Sequence, residues 1–273
     1  MAADPTEAFT DREFHKTAPV PDTGRPSIYE FRQPSDHDLG WFLDHYIPLP
    51  SHGRVLDAGC GPGAYVAETR RRLSADGVLA ALDINSSRVA MIDASLALRV
   101  AGDVTALPFP DAAFDVVLAM HMLYHVPHVP DAVAELRRVL KPGTGVLYAF
   151  TNSERAQWEL AELYLRHGGD DEKAFGDTHF SNESGGALLR TAFADDEVSL
   201  LELTDTQLVV TDAECIVDEL QRLRYTLEPG LRAGASWDEM IEGARHDARE
   251  SVEREGAFRM SENHGLFTCH RLS

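Results

Sequence analysis

Short apolar runs alternate with amphipathic segments from residue 54 to residue 150, and this is the most regular pattern in the chain. An apolar run of about five residues followed by a helical period is typical of β–α–β units that build a parallel sheet. The runs predict strands at residues 54–58, 78–82, 99–101, 116–120 and 146–150. The segments between them predict helices at residues 64–73, 89–98 and 131–140. We therefore expect a doubly wound α/β fold.

The pattern changes after residue 150. A helical period at 154–167 is followed by an acidic, glycine-bearing stretch, 170–186, to which we assign no element. The apolar stretch 198–210 predicts one bent strand or two. The section 211–257 predicts helices, and a last strand at 266–272 should return to the first sheet. That sheet would then contain seven strands, most of them parallel.

The same pattern predicts how the chain is divided. Aromatic residues in the first 50 positions are more frequent than in a disordered tail and predict a helical cap. The expected organisation is a cap at 1–50, a core at 51–210 that includes helices and a loop at 153–194, a helical insertion or lid at 211–260, and a final core strand at 261–273. Exposed capping helices would suit a homodimer.

Composition narrows the range of partners. The 273 residues include 45 acidic and 25 basic side chains, so the net charge is −20, and this field repels a phosphate backbone. The polar N-terminus lacks a signal-peptide core, and no apolar run approaches the roughly 20 residues that a membrane helix needs. The three cysteines are widely spaced and indicate neither a disulfide framework nor a zinc site. We expect a cytoplasmic protein that binds neither nucleic acid nor membrane.

The segment VLDAGCGPG at residues 55–63 places a glycine-rich turn between a predicted strand and a predicted helix. Such a turn brings a ligand against backbone N–H groups and a helix N-terminus. Residues 59–64 also fit the permissive dinucleotide pattern G-x-G-x-x-A. However, Asp57 would place a carboxylate beside the pyrophosphate of a dinucleotide, and like charges repel. A cationic ligand suits this turn better.

Two further carboxylates lie at predicted strand ends. Asp83 ends the second strand, where a carboxylate can accept hydrogen bonds from both hydroxyls of a ribose. Asp103 follows the third strand, where it could accept a hydrogen bond from an adenine amino group. S-adenosyl-L-methionine carries an ammonium, a sulfonium, a ribose and an adenine. Three carboxylates at one sheet edge therefore fit this cofactor.

Beyond these single features, the chain resembles the class I S-adenosylmethionine-dependent methyltransferases, especially those of ubiquinone biosynthesis and other small-molecule pathways. The resemblance rests on VLDAGCGPG (55–63), ALDIN (81–85), GDVTALPFPDAAFDVV (102–117), MLYHVPH (122–128) and LKPGTGVLYAF (140–150), in family order and spacing. It implies that the methionine end of the cofactor is lined by Asp57, Ala58, Gly59, Gly61 and Gly63. It also implies that Asp83 and Ile84 hold the ribose and adenine, and that Asp103 with Val104 flanks the base.

The resemblance implies transfer of a methyl group to a hydroxyl, amine or carbon of a small molecule. Such a displacement demands mainly alignment and desolvation, because the cofactor supplies the activation. His121, after the fourth strand, is the first candidate for a general base and also for a cofactor contact, and His125 is the second. His179 and His264 could be brought in by folding. No carboxylate cluster indicates a metal.

Three other functions stay open. An RNA base methyltransferase would share the fold, although the chain lacks a basic stripe. A non-catalytic protein that binds S-adenosylmethionine would keep the pocket and lose the transfer. A nicotinamide-dependent reductase would use the same glycine turn. Arg32 could pair with the carboxylate of the cofactor, but we expect it to be a solvated surface side chain.

Overall fold

The computed structural model describes residues 24–170, 179–194 and 197–272, and within them eight strands form one mixed sheet. The strands are β1 (Arg32–Gln33), β2 (Arg54–Ala58), β3 (Val78–Asp83), β4 (Leu98–Ala101), β5 (Val116–Met120), β6 (Gly145–Asn152), β7 (Val198–Val210) and β8 (Phe258–Arg271). Their order across the sheet is β1-β7-β8-β6-β5-β2-β3-β4. Strands β2 to β6 pair in parallel, whereas β1, β7 and β8 pair antiparallel. The predicted α/β fold class is confirmed.

The helices are α1 (Leu39–Tyr46), α2 (Ala64–Arg72), α3 (Ser86–Met91), α4 (Val129–Val139), α5 (Trp158–His167), α6 (Asn182–Leu189), α7 (Ala213–Arg222), α8 (Arg224–Leu227) and α9 (Trp237–Glu255). The central strands are buried on both faces, as β5 shows along its whole length. A parallel sheet covered on both faces needs such continuous apolar strands, which is why their runs stand out in the sequence. The carboxyl ends of β2, β3, β4 and β5 meet at one edge.

Strands β2 and β5 begin and end at the predicted residues, whereas the helix predicted at 89–98 does not. Helix α3 begins at Ser86 because the side chain of Asn85 accepts hydrogen bonds from the next backbone N–H groups. It ends at Met91, and the carboxylate of Asp93 then accepts the N–H of Ser95 at 2.8 Å. This local turn competes with further helix.

The antiparallel part of the sheet holds the larger differences. The stretch 198–210 is the single strand β7, with a register shift against β8 between Leu203 and Thr206. The last strand, β8, begins at Phe258 rather than at residue 266. The sheet has an eighth strand in place of the seven predicted, because β1 pairs with Leu208 and Gln207 at the outer edge. Its two residues are too few to give a periodic pattern.

Two helical layers cover the sheet beside the site. Helices α5, α7 and α9 enclose an apolar core with the outer parts of β7 and β8, built from side chains that include Tyr164, Ile216 and Met240. Helix α1 packs Leu43 into a separate apolar core with residues of β2, β3 and β5. No helix in the described ranges combines the length and the apolar content that crossing a membrane requires.

Candidate functional site

The glycine turn between β2 and α2 packs against the end of β3. The N–H groups of Gly59 and Cys60 donate to the carbonyl oxygen of Leu82 at 2.7 and 2.9 Å. Gly59 has a φ of +73°, and a Cβ atom there would lie 2.7 Å from Cβ of Met122. Only glycine combines that φ with so close an approach. The turn therefore presents bare backbone at the edge where the strands end.

Asp57 lies beneath this turn, on β2. Its side chain is 1% exposed, and its Oδ2 atom has no hydrogen-bond partner among the residues described. Burial and then the charge of Asp83 raise the pKa of Asp57 to about 7. A buried carboxylate without a partner is costly, so this position favours a ligand that brings a positive charge and hydrogen-bond donors.

Asp83 and Asp103 hold the backbone around the same edge. Oδ2 of Asp83 accepts the N–H of Gly61 at 2.8 Å, and Oδ1 accepts the N–H of Asn85 at 2.8 Å. Oδ1 of Asp103 accepts the N–H and the hydroxyl of Thr105 at 2.9 and 2.8 Å. A carboxylate oxygen can accept a second hydrogen bond, so Asp83 can fix the turn and still accept a ligand hydroxyl.

These groups line a cavity of about 380 Å³, which we call the first cavity. Of the residues predicted from the sequence, it is lined by Asp57, Gly59, Gly61, Asp83, Ile84, Asp103, Val104, His121 and His125. Ala58 and Gly63 are not on its wall. Ala58 is fully buried in β2, and Gly63 is the left-handed residue before α2, where a Cβ atom would lie 2.7 Å from Ile92. Both residues affect the shape of the turn without lining the cavity.

Three further side chains on the wall of the first cavity were not predicted as site residues. Tyr65 lies in the first turn of α2, where its position directly after the glycine turn was a usable signal. Met122 lies against Gly59. Arg88 reaches the wall from α3, and its Nε atom is buried without a hydrogen-bond partner in the described structure. Met122 begins the motif at 122–128, which was a signal for it, whereas Arg88 lies in no motif and far along the chain from the turn.

His121 directly follows β5 and adopts a φ of +53°, which is uncommon for a residue other than glycine. Its N–H donates to the carbonyl oxygen of Phe150 at 2.9 Å, and its ring centre lies 5.5 Å from that of His264. Burial, followed by the charges of His264 and Arg32, lowers the pKa of His121 to about 3. At neutral pH its ring is an uncharged hydrogen-bond acceptor and is poorly matched to taking up a proton.

A buried ionic network lies next to His121. Arg32 donates from Nε and Nη2 to the carboxylate of Glu262 at 2.7 and 2.8 Å, and the Glu262 side chain is fully buried. Nε2 of His264 lies 3.3 Å from the same carboxylate, and its Nδ1 lies 2.9 Å from Oδ1 of Asn152. Burial opposes ionisation, but the hydrogen bonds from Arg32 and His264 lower the pKa of Glu262 to about 2. The expectation of a solvated Arg32 is wrong.

A second cavity, of about 80 Å³, lies over this network. It shares Tyr65 and His121 with the first cavity. The rest of its wall comes from α1, the ends of β6 and β8, the bulge of β7, and the segment 32–38. The two cavities therefore adjoin at one tyrosine and one histidine.

His179 and a cluster of three residues on α9 lie apart from both cavities, whereas Cys60 lies on the wall of the first. His179 is exposed and lines neither cavity. On α9, the side chains of His246, Asp247 and Glu250 converge, but Asp247 already pairs with Arg166 and His167 on α5. Cys60 lies on the wall of the first cavity, where burial raises the pKa of its thiol. The thiol is therefore protonated at neutral pH and is not an activated nucleophile.

S-adenosylmethionine fits the groups of the first cavity. The unpaired carboxylate of Asp57 suits an ammonium group, and the bare backbone at Gly59 allows a close approach. Asp83 offers carboxylate oxygens for ribose hydroxyls, while Ile84 and Val104 offer apolar surface for a base. A pyrophosphate in the turn would instead lie near Asp57 and Asp83, which disfavours a dinucleotide.

Comparison with known sequences places the first cavity in a recognised domain. Residues 56–148 match the family described as "Methyltransferase domain". Sterol 24-C-methyltransferase of Gibberella zeae is 32% identical over 131 residues, covering 45% of this chain and 32% of that protein. A ubiquinone/menaquinone biosynthesis C-methyltransferase of Stutzerimonas stutzeri is 38% identical over 105 residues, covering 35% and 41%. The chain thus spans between about a third and half of the curated relatives that it matches.

Comparison with solved structures extends over more of the chain. A candidate methyltransferase from Bacillus halodurans superposes with a TM-score of 0.58 at 18% identity, covering 86% of this chain and 99% of that one. The [4+2]-cyclase SpnF superposes with a TM-score of 0.54 at 20% identity, covering 98% and 93%. These likenesses concern the fold. Residues 56–148 are thus similar to the methyltransferase domain family, and the described chain shares its fold with these two solved structures.

Proposed function

We propose that this protein transfers a methyl group from S-adenosyl-L-methionine to a small-molecule acceptor. The observation that carries the proposal is the buried carboxylate of Asp57, which lacks a partner directly beneath a glycine turn. One relative named above is a sterol C-methyltransferase and another is a C-methyltransferase of ubiquinone/menaquinone biosynthesis, which supports a small-molecule acceptor for this chain as well. When bound, the cofactor supplies a methyl group that its sulfonium activates toward displacement.

The residues of the first cavity would share the work of holding the cofactor. Asp57 would bind its ammonium group, and Gly59 and Gly61 would admit it close to the backbone. Asp83 would accept the ribose hydroxyls while keeping its hydrogen bond from Gly61. Ile84 and Val104 would contact the adenine, with Asp103 beside its amino group. Ala58 and Gly63 would act indirectly, through the shape of the turn.

His121 and Tyr65 would face the reacting atoms, because they form the wall between the two cavities. The low pKa of His121 assigns it an orienting role, as an uncharged acceptor for an O–H or N–H group, rather than the role of a general base. The hypothesis that His125 takes part in catalysis has less support, since its ring packs 4.5 Å from that of Tyr124. The chain would accelerate transfer mainly by alignment and exclusion of water.

We also propose a cytoplasmic location, a cap at 1–50 and a lid at 211–260 around the core, and no nucleic-acid partner. The net charge of −20 supports the last of these. A homodimer through the capping helices is part of the same proposal.

The test is calorimetric titration of the protein with S-adenosylmethionine, S-adenosylhomocysteine and NADH, in wild type and in Asp57→Asn. We expect micromolar binding of both adenosyl compounds, no binding of NADH, and much weaker binding to the variant. Binding of NADH alone would overturn the assignment. Tight cofactor binding without transfer of a labelled methyl group to any of a broad set of alcohols, amines and carbon acids would favour a non-catalytic binding protein.

A further inference from the structure

The second cavity has walls of a kind that the first lacks. Aromatic rings from α1 and β6 surround it, with ring centres of Phe42 and Phe150 at 4.8 Å, of Phe42 and Tyr46 at 5.5 Å, and of Trp41 and Tyr46 at 5.6 Å. Aromatic walls of this type bind flat apolar groups by burial and by ring–ring contact. The space thus suits a ring more than a flexible polar chain.

The wall of the second cavity carries a net negative charge. The cationic side chain there, Arg32, makes a two-point hydrogen-bonded pair with the buried carboxylate of Glu262. Two exposed carboxylates, Asp38 and Asp205, also line the cavity. An anionic ligand would therefore meet a neutralised guanidinium and two like charges, which disfavours its entry.

Two histidine rings in the wall offer nitrogen atoms that are suited to a ligand hydroxyl. The ring of His121, held neutral by its surroundings, can accept a hydrogen bond. His37 stacks flat on Trp41, with ring centres 3.7 Å apart, and its Nδ1 atom is buried without a partner in the described part of the chain. A buried polar atom without a partner is costly, and a ligand that bonds it removes the cost.

We propose that the second cavity is the methyl-acceptor site and that it receives an uncharged, flat ring bearing a hydroxyl group, a phenol-type acceptor. This inference rests on the proposed function, because the cavity adjoins the first one through His121 and Tyr65. The aromatic side chains bind the ring, and His121 orients the hydroxyl toward the wall shared with the first cavity. The carboxylates of Asp38 and Asp205, together with the neutralisation of Arg32 by Glu262, exclude acceptors that carry a carboxylate.

The experiment is a titration with three probes of similar size, 4-methylphenol, benzoate and benzylamine, with and without saturating S-adenosylhomocysteine. At neutral pH the probes are uncharged, anionic and cationic. We expect 4-methylphenol to bind at least tenfold more tightly than benzoate and than benzylamine. Equal or tighter binding of either charged probe would overturn the assignment of an uncharged acceptor.

Two variants locate the bound probe. Thr206→Phe places a ring in the second cavity, whereas Ser199→Phe places the same ring on an exposed position of the same strand. We expect only the first to abolish binding of 4-methylphenol, with the affinity for S-adenosylhomocysteine within about twofold of wild type in both. Should Thr206→Phe not fold, Phe42→Ala serves in its place, with an expected loss of about tenfold in probe affinity.

The outcomes separate the two proposals. If S-adenosylhomocysteine binds and no probe does, the acceptor assignment is wrong while the proposed function stands. The opposite outcome is also possible: the protein binds no adenosyl compound, yet it binds 4-methylphenol, and Thr206→Phe abolishes that binding. The assignment of the ring site would then stand, and the proposed methyltransferase function would be wrong.

Discussion

The two cavities are built by opposite means. The first is made from backbone and short side chains at consecutive strand ends, and nearly all of its critical groups lie within the segment 57–104. The second is assembled from α1, β6, β7 and β8, whose contacts join residues such as Arg32 and Glu262 across most of the chain. A site of the first kind can be recognised from local sequence, whereas one of the second kind depends on the completed fold. It follows that the two regions should respond differently to mutation.

The largest effect should come from Glu262→Ala, which tests whether a buried charge pair holds the second cavity together. Removing the carboxylate leaves the part-buried guanidinium of Arg32 unpaired and removes a hydrogen-bond partner of His264. We expect the free energy of unfolding to fall by about 3–5 kcal/mol. Chemical denaturation measures it, and the double variant with Arg32→Met should recover part of the loss. No change in stability would show that the network is not needed.

A smaller effect is expected in the first cavity from Gly59→Ala, with Gly61→Ala as the matched control. Both glycines have positive φ, at +73° and +52°, but only at Gly59 does an added Cβ meet another side chain. The unliganded Gly59 variant should be less stable than the Gly61 variant by about 1–3 kcal/mol, because a well-packed contact becomes overpacked. Equal denaturation midpoints would mean that Met122 yields and that the turn is less rigid than its geometry indicates.

The pH dependence of cofactor affinity tests the role of Asp57. A cationic ligand binds the ionised carboxylate, and with a pKa of about 7 this form declines as the pH falls. Between pH 7.5 and pH 5.5 the ionised fraction drops about 25-fold, so the affinity for S-adenosylmethionine should drop by about that factor. Titration calorimetry at several pH values would measure it. In Asp57→Asn the profile should be flat over this range, and a flat profile in the wild type would remove Asp57 from the binding of the cation.

The same shift has the opposite sign for the protein without ligand. Because the folded-state pKa of Asp57 lies above its unfolded value, folding takes up a proton, and stability falls as the pH rises from about 4 to about 7. A cationic ligand should therefore stabilise the protein most at the alkaline end of this window, as thermal denaturation would reveal.

The smallest effect should come from His121→Gln, at the boundary between the two cavities. A histidine with a pKa of about 3 accepts hydrogen bonds but takes up a proton poorly, and glutamine preserves an acceptor. We expect cofactor affinity within about twofold of wild type and methyl transfer reduced less than about tenfold. A loss of several orders of magnitude in the turnover number, with binding intact, would restore His121 as the general base.

The sequence predicts the first half of the fold well because its strands are buried on both faces and its turns carry local signals. Asn85 and the glycines of 59–63 are such signals, because they mark the ends of the strands at which the carboxylates of Asp57 and Asp83 lie. The antiparallel half is less predictable. Strand β1 has two residues, and exposed positions interrupt the buried ones along β8. In the sequence Glu262 looks like any surface acid, and it is buried only in the fold, where it pairs with Thr206 of β7. Its charge is tolerated only because Arg32, 230 positions earlier, reaches it.

The thiol of Cys60 provides a built-in reporter of the glycine turn. It is 7% exposed, and its raised pKa keeps it protonated, so thiol reagents should reach it only when the turn opens. Cys215 and Cys269 are buried far along the chain, and burial raises the pKa of each as well. The alkylation rate of Cys60 would therefore report how often the turn opens. A ligand that slows the alkylation would reveal the occupancy of the first cavity, and no probe would need to be introduced by mutation.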